Sequence, residues 1–432
     1  MNAGLNRRTF LGVSAAGAAG LVILHDSRSA RGYAANEKLN IAAIGAGGRG
    51  ASNLQGVASE NIVALCDADE RRAEGSYQKY PKAAKYADYR RLLDDMDRQI
   101  DAVVVSAPNH IHAPASVTAM RRGKHAYCEK PLSHSVHEAR VAARVAAEKK
   151  AATQTGTQIH ASGNYRRILE LIRAGAIGQV RECHCWSSAR ISVGDRPKET
   201  PPVPAGLDWD VWLGPAPYRP YHPCYVPHGW HYWWDFGGGH FGNMGCHYFD
   251  LAFWALDLRY PRTVEAEGPP PHAESTPAWQ QARYQFPARG NWPPALLTWT
   301  HGDSARQPRI FQDHKAPDWA WGLFVGSKGC LAVDYGRWKL LPEEQFAGFE
   351  PPPPSIPDSI GHHQEWIVAC KTGSPTSCNF DYSGAVTEAV VLGNIAYRTG
   401  KKLEWDGPSM RVTNCPEANS YLQRNYRPGW LL

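Results

Sequence analysis

Leu39-Asn40-Ile41-Ala42-Ala43-Ile44-Gly45-Ala46-Gly47-Gly48-Arg49-Gly50 is the stretch that decides the fold. The mostly apolar run Leu39–Ile44 reads as a buried strand. Glycines at 45, 47 and 50 then follow the spacing G-x-G-x-x-G. Gly45 permits a tight turn, Gly47 lets the backbone approach a pyrophosphate, and Gly50 lets the next helix pack close to the strand. The amides at that helix N-terminus suit phosphate oxygens. A second apolar run, Ile62-Val63-Ala64-Leu65-Cys66, closes on Asp67. A carboxylate there can accept both adenosine ribose hydroxyls and repels a 2′-phosphate. Strand, loop, helix and acid in this order predict a dinucleotide site, with NAD favoured over NADP. Arg71 and Arg72 lie close enough to keep NADP as the alternative.

The surrounding pattern extends this unit. Strands are expected at Leu39–Ile44, Ile62–Cys66, Ala102–Ser106, His125–Cys128 and Ala151–Gln154. Helices are expected near Arg49–Gln55, Asp69–Tyr80, Tyr89–Met96, Ile111–Arg122 and Ser135–Lys149. Such alternation implies a parallel sheet with helices on both faces. Ligands bind at the carboxyl ends of its strands, where Gly45, Asp67, Ser106–Pro108 and Glu129–Pro131 fall. Beyond Thr155 the pattern changes to strands at Val180–Arg190, Thr263–Gly268, Gln281–Phe286, Ala295–Trp299, Gly322–Val325 and Cys330–Asp334. These predict a mainly antiparallel sheet. Its helices are expected at Asn164–Ala174, Gly245–Leu256, His363–Lys371 and Ser383–Thr399, the last stopped by Gly400. The fold class is α/β, with a second α+β region.

The chain has 432 residues, 43% of them hydrophobic and 20% charged, enough for two domains with sizeable cores. A net charge of +6 without a basic stripe gives no reason to expect nucleic acid. Asn6-Arg7-Arg8-Thr9-Phe10-Leu11 reads as a twin-arginine export motif, followed by a short apolar run from Gly12 to Leu24. Cleavage is expected at Ser29-Ala30 or Tyr33-Ala34, so residues 1–34 form a signal peptide. The mature protein is expected to be periplasmic or membrane-tethered, with no integral membrane span. The ten cysteines allow disulfides in an exported chain, with Cys66 and Cys128 expected as buried thiols. Cys183-His184-Cys185 alternates across a strand and has no second Cys/His pair at zinc spacing, so no metal is expected.

Chemistry concentrates at Tyr127-Cys128-Glu129-Lys130-Pro131-Leu132. Pro131 keeps Lys130 out of helical geometry, which aims an ammonium from a rigid strand end. Such a group hydrogen-bonds a substrate hydroxyl and favours alkoxide character, and burial favours its neutral form. Ala107-Pro108-Asn109-His110-Ile111-His112 follows another strand end and is placed to line the nicotinamide-ribose side. Trp and Tyr mixed with His and Asp from Leu207 to Asp235 suit a sugar ring, or else a hydrophobic loop packed on the sheet.

The series of glycine loop, Asp67, A-P-N-x-x-H at Ala107–His112 and G-K-H-x-x-C-E-K-P-L at Gly123–Leu132 resembles the Gfo/Idh/MocA family of oxidoreductases. Gly237-Gly238-Gly239, the G-x-H-x-x-D of Gly245, His247 and Asp250, and Gly326-Ser327-Lys328-Gly329 extend the resemblance. It implies a Rossmann domain over residues 38–155. Residues 156–432 would form a substrate and oligomerisation domain whose sheet is open, and the protein a homodimer or homotetramer. It implies Lys130 and His247 as the catalytic pair, His247 as proton acceptor. It implies a cofactor set of Gly45, Gly47, Arg49, Gly50, Asp67, Pro108, Asn109, His112, Glu129 and Lys130. Substrate contacts are expected from Tyr165, Trp230, His231, Trp234, Asn243 and His247. One departure stands out. Many family members carry Asp where this chain has Asn243, one helical turn before His247. An amide hydrogen-bonds but supplies no charge to an imidazolium.

The expected reaction is hydride transfer between a sugar, polyol or glycoside carbon and tightly held NAD. Two alternatives stand beside it. One is a redox-neutral glycosidase that oxidises, eliminates, hydrates and reduces, with Tyr165 or one of Tyr218 to Tyr232 as base. The other is a silent sugar- or dinucleotide-binding protein.

Overall fold

The computed structural model describes residues 37–432. The twin-arginine motif and both cleavage positions lie outside them. Six parallel strands form the first sheet: β1 (Asn40–Ile44), β2 (Asn61–Cys66), β3 (Ala84–Tyr86), β4 (Ala102–Val105), β5 (His125–Cys128) and β6 (Thr153–Thr155). Their order is β3-β2-β1-β4-β5-β6. The order reverses between β1 and β4, which leaves a crevice at their carboxyl ends. β1 is fully buried after Asn40 because strands pair on both its sides and helices cover both faces. β3 has three residues, too short for a periodic signal, and was not expected.

Helices α1 (Arg49–Gly56), α2 (Glu70–Lys79), α3 (Tyr89–Asp95), α4 (Asn109–Arg121) and α5 (Val136–Lys149) connect these strands. α5 begins with a capping box. The Ser135 hydroxyl accepts from the Glu138 amide, and the Glu138 carboxylate accepts from the Ser135 amide. Two otherwise unpaired donors are satisfied together, a feature that contributes about 1 kcal/mol. It fixes the chain directly after Glu129-Lys130-Pro131.

The second sheet has nine strands. They are β7 (Val180–Ser187), β8 (Thr263–Glu267), β9 (Gln280–Phe286), β10 (Ala295–His301), β11 (Gly322–Gly326), β12 (Gly329–Val333), β13 (Trp338–Leu341), β14 (Leu403–Asp406) and β15 (Arg411–Val412). Every pairing is antiparallel except β7 with β10. On β7, Cys183 and Cys185 enter the core, while His184 faces the other way and bonds Thr298 and Glu182. All ten cysteines are unbridged thiols, Cys66 and Cys128 among the buried ones.

Helices α6 (Gly163–Arg173), α7 (Trp209–Leu213), α8 (Gly239–Leu256), α9 (Arg309–Asp313), α10 (His362–Thr372) and α11 (Phe380–Thr399) complete the chain. α8 starts before the expected Gly245, because Gly239 at φ +71° turns the chain into the helix rather than ending it. Gly245 then lets α8 approach α11: a Cβ there would lie 3.0 Å from a Val390 methyl. α11 starts before Ser383, because the Asn379 side chain caps it from the Asp381 and Tyr382 amides. It packs on α5 and on α8 and so ties the two sheets together. No described helix is long and apolar enough to cross a membrane.

Candidate active site

A cavity of about 560 Å³ opens at the carboxyl ends of β1, β2, β4 and β5 and reaches α8. The glycine loop forms one wall. Gly45, at φ +85°, would bring a Cβ to 2.6 Å of the Ser106 and Ala107 backbone. Only glycine fits that turn. α1 has no side-chain N-cap, so no side chain blocks its N-terminus, although the Gly50 amide bonds the Gly47 carbonyl. The Asp67 carboxylate accepts from the Ala46, Gly47 and Asp69 amides at 3.0 Å each. Burial raises its pKa, and those three amides work against the rise. Arg71 turns away to pair with Asp69, whereas Arg72 lines the cavity, and a Cβ on Gly48 would meet its guanidinium. These residues fit a dinucleotide: a glycine cradle, an uncapped helix N-terminus and an acid at the ribose position.

Glu129 and Lys130 form the second wall. Glu129 Oε1 accepts from Arg49 Nε at 3.0 Å, Asn53 Nδ2 at 2.9 Å and Gln158 Nε2 at 2.8 Å. Burial opposes its charge, yet Arg49 and the neighbouring donors hold its pKa below the usual carboxylate range. The Lys130–Pro131 bond is cis. Lys130 Nζ donates to the Asn243 carbonyl at 2.6 Å and to Asn243 Oδ1 at 2.7 Å. Burial lowers its pKa, and Glu129 opposes the fall.

α8 supplies the third wall. Asn243 and His247 lie one turn apart and both line the cavity. Burial, then the charge of Lys130, pushes His247 down to about 3, so its imidazole is neutral. Its Nδ1 is buried without a partner, which leaves Nε2 as the nitrogen open to the cavity. Neither nearby acid pairs with it. Glu129 is held as above, and Asp250 bonds His160 and Tyr382. His240, on the same helix, bonds Ser187.

The cavity also brings together Gly47, Arg49, Asp67, Pro108, Asn109, Glu129, Trp230 and His231. His231 stacks on Trp230 at 3.6 Å, and burial lowers it to about 4. Four expected residues stand elsewhere or act differently. Gly50 does not line the cavity and acts through packing, since a Cβ there would strike the Gly45 carbonyl. Tyr165 is fully buried behind α8, donates toward the His247 carbonyl at 3.4 Å, and does not line the cavity. Trp234 faces a neighbouring cavity and donates to the His272 carbonyl. His112 reaches the cavity wall, but both ring nitrogens face carbonyls, Pro131 and Ala107, each at 2.6 Å. It ties two loops together and keeps no nitrogen for a ligand. Most of the remaining Leu207–Phe236 aromatics form their own cluster, in which Trp209 stacks on Trp212 at 4.6 Å. Gln158, His228, Met244 and Tyr335 were not expected at the site. Gln158 follows the end of β6, where the carboxyl-end rule for parallel strands would have placed it.

Comparison with known proteins now fixes the class. The profile "Oxidoreductase family, NAD-binding Rossmann fold" matches residues 39–157, and "Oxidoreductase family, C-terminal alpha/beta domain" matches residues 179–291. The chain belongs to the Gfo/Idh/MocA oxidoreductase family, and its parallel sheet is the NAD-binding part. It is 31% identical to inositol 2-dehydrogenase of Salmonella typhimurium over 147 residues, 33% of this chain and 43% of that one. It is 32% identical to alpha-N-acetylgalactosaminidase of Shewanella oneidensis over 163 residues, 33% of this chain and 34% of that one. The chain thus spans less than half the length of either curated relative. The WlbA dehydrogenase of Bordetella pertussis, solved with NADH and UDP-GlcNAcA, shares the fold at TM-score 0.62 and 14% identity. That superposition covers 86% of this chain and 99% of the other.

Proposed function

We propose that this protein is an NAD-dependent oxidoreductase acting at a CH–OH carbon of a sugar, polyol or glycoside. One observation carries the reading: Lys130, Asn243 and His247 meet in the cavity that the glycine loop and Asp67 also line. NAD held there supplies the hydride acceptor. The glycine loop and α1 amides would hold its phosphates, and Asp67 its ribose. Lys130 Nζ, fixed on Asn243, orients the substrate hydroxyl and stabilises developing negative charge on its oxygen. His247 Nε2, neutral beside that ammonium, takes the hydroxyl proton. Trp230, stacked with His231, offers an apolar face to the ring.

The test uses protein with its copurified cofactor and a panel of sugars, inositols and aryl glycosides. Bound-nicotinamide absorbance and aglycone release are followed together. Reduction of the nicotinamide without aglycone release supports the reading. Aglycone release without net reduction would move it to a redox-neutral glycosidase. A specific observation favours that second reading: His231 puts a second neutral imidazole in the same cavity, and an elimination step needs a base beyond His247. Tyr165 cannot serve there, being walled off. Sugar binding without either signal would leave a silent binding protein.

We also infer export led by Arg7-Arg8 and assembly as a dimer or tetramer. Cell fractionation of an Arg7→Lys, Arg8→Lys variant tests the first, with retention in the cytoplasm expected. Sedimentation of the mature protein tests the second, where a monomer would overturn it.

A further inference from the structure

A second cavity of about 380 Å³ adjoins the first, and Asn109 lines both. Polar groups converge on it, and two of them keep a buried atom without a protein partner. Asn109, 3% exposed, stands where the two cavities meet. Asn394 is 8% exposed; its Nδ2 donates to the Gly238 carbonyl, and its Oδ1 has no partner. One turn further along α11, Arg398 shares that face. Its guanidinium lies 4.9 Å from the Trp234 ring centroid and 4.2 Å from that of Tyr421. No carboxylate among the described residues pairs with it. Arg424 donates through Nε to Glu138 and through NH2 to the His110 carbonyl, while its NH1 is buried and unpartnered. Buried polar atoms are normally satisfied, so such orphans around one cavity mark a place built for a ligand.

Charge defines what that ligand is. Arg219 pairs with Asp235 and Glu274, which Arg196 also holds, so these two acids and two guanidiniums cancel. Glu138 offsets Arg424. Arg398 has no carboxylate at ion-pair distance among the described residues and feels only the more distant charge of Asp235, so the cavity keeps about one positive charge, which matches one negative charge rather than two. Gly237, Gly238 and Gly242 bring the uncapped N-terminus of α8 to the same wall, and its dipole also favours an anion. Trp234, Tyr421 and Val390 supply an apolar surface, and Asn394 Oδ1 accepts from a hydroxyl.

We propose that this second cavity binds a small hydroxylated monocarboxylate, a sugar acid or polyol acid. The Arg398 guanidinium takes the carboxylate as a planar fork. Asn394 and Asn109 take hydroxyls, and the carbon skeleton lies on Trp234 and Tyr421. The carboxylate belongs either to the far end of the substrate, reaching past Asn109, or to a separate ligand.

The test is binding to the cofactor-loaded protein by titration calorimetry, with D-glucuronate and D-gluconate as probes and D-glucose as the neutral control. At least one acid is expected to bind about tenfold tighter than glucose. Arg398→Gln is expected to abolish that preference, Arg398→Lys to restore part of it, and Asn394→Leu to weaken the acid. Unchanged melting and NAD affinity show that each variant is folded. Equal acid binding by Arg398→Gln and the native protein overturns the proposal, as does the absence of saturable binding by both acids in the millimolar range. A phosphorylated sugar binding tighter than either acid also overturns it. Competition between the acid and a neutral substrate assigns the carboxylate to the substrate, and joint binding assigns it to a separate ligand. The readout needs no turnover, so it stands or falls apart from the proposed reaction.

Discussion

At the residue scale, Asn243 is the informative position. It holds Lys130 as an aspartate would, yet leaves His247 without a counter-charge. A histidine at about 3 stays neutral at every ordinary pH, so the acid limb of kcat/KM should lie far below neutrality. Asn243→Asp should raise the His247 pKa by about 1–3 units, since a carboxylate beside an imidazolium favours the charged form. The acid limb should then move toward neutral by the same amount. A pH–rate profile checks this, and an unmoved limb would remove His247 from the proton's path. Lys130→Met should lower kcat/KM at least about 100-fold with NAD affinity nearly unchanged. Steady-state kinetics and cofactor fluorescence read the two effects separately. The strand-end position of Lys130 and the shared helical face of Asn243 and His247 were legible in local spacing, whereas their catalytic roles came from the family resemblance. Tyr165 was misplaced because spacing fixes a helix face but not what covers it.

At the scale of elements, the first strand–loop–helix was readable because each glycine answers a local steric demand. A Cβ on Gly50 would strike the Gly45 carbonyl, since α1 packs directly against the turn that precedes it. Gly50→Ala should therefore destabilise the protein by about 2–4 kcal/mol and weaken NAD by more than tenfold. Thermal melting with and without NAD measures both. β3 and the starts of α8 and α11 were not readable. β3 is too short to show a period, and both helices begin at residues that sequence rules treat as breaks or turns. Gly239 and Asn379 act there as an entry and a cap. The second cavity was invisible for another reason: Asn109, Trp234, Asn394 and Arg424 are distant in sequence and meet only through tertiary packing.

For the whole molecule, buried histidines set the response to pH. Burial pushes His110, His247 and His301 to about 3 and His231, His240 and His362 to about 4. In the unfolded chain each takes a proton near 6.5. The unfolded state thus binds more protons below that pH. Stability present above about pH 6.5 is lost as pH falls toward 4, by about 1.4 kcal/mol per unit for each group. His160 runs the other way: burial opposes its charge, but Asp250 at 3.0 Å lifts it to about 10. Its contribution is complete below 6.5 and drains away as pH rises through 10. His112, His134, His184 and His363 are lowered by burial as well, so ten histidines against one predict sharp acid lability. Urea unfolding should give a lower midpoint at pH 5 than at pH 7.5 with an unchanged slope. A midpoint that holds or rises at pH 5 would contradict the burial of these rings.

The bond from Lys130 to Asn243 carries one more consequence. An ammonium has three N–H donors, and two already point at the Asn243 carbonyl and Oδ1. One remains. Whatever oxygen arrives at the reacting carbon must be served by that single donor, or must displace the clamp that joins β5 to α8. Under the proposed reaction, a lone remaining donor would select one oxygen out of a ring of near-identical hydroxyls, and regiochemistry would be a matter of valence as much as of shape.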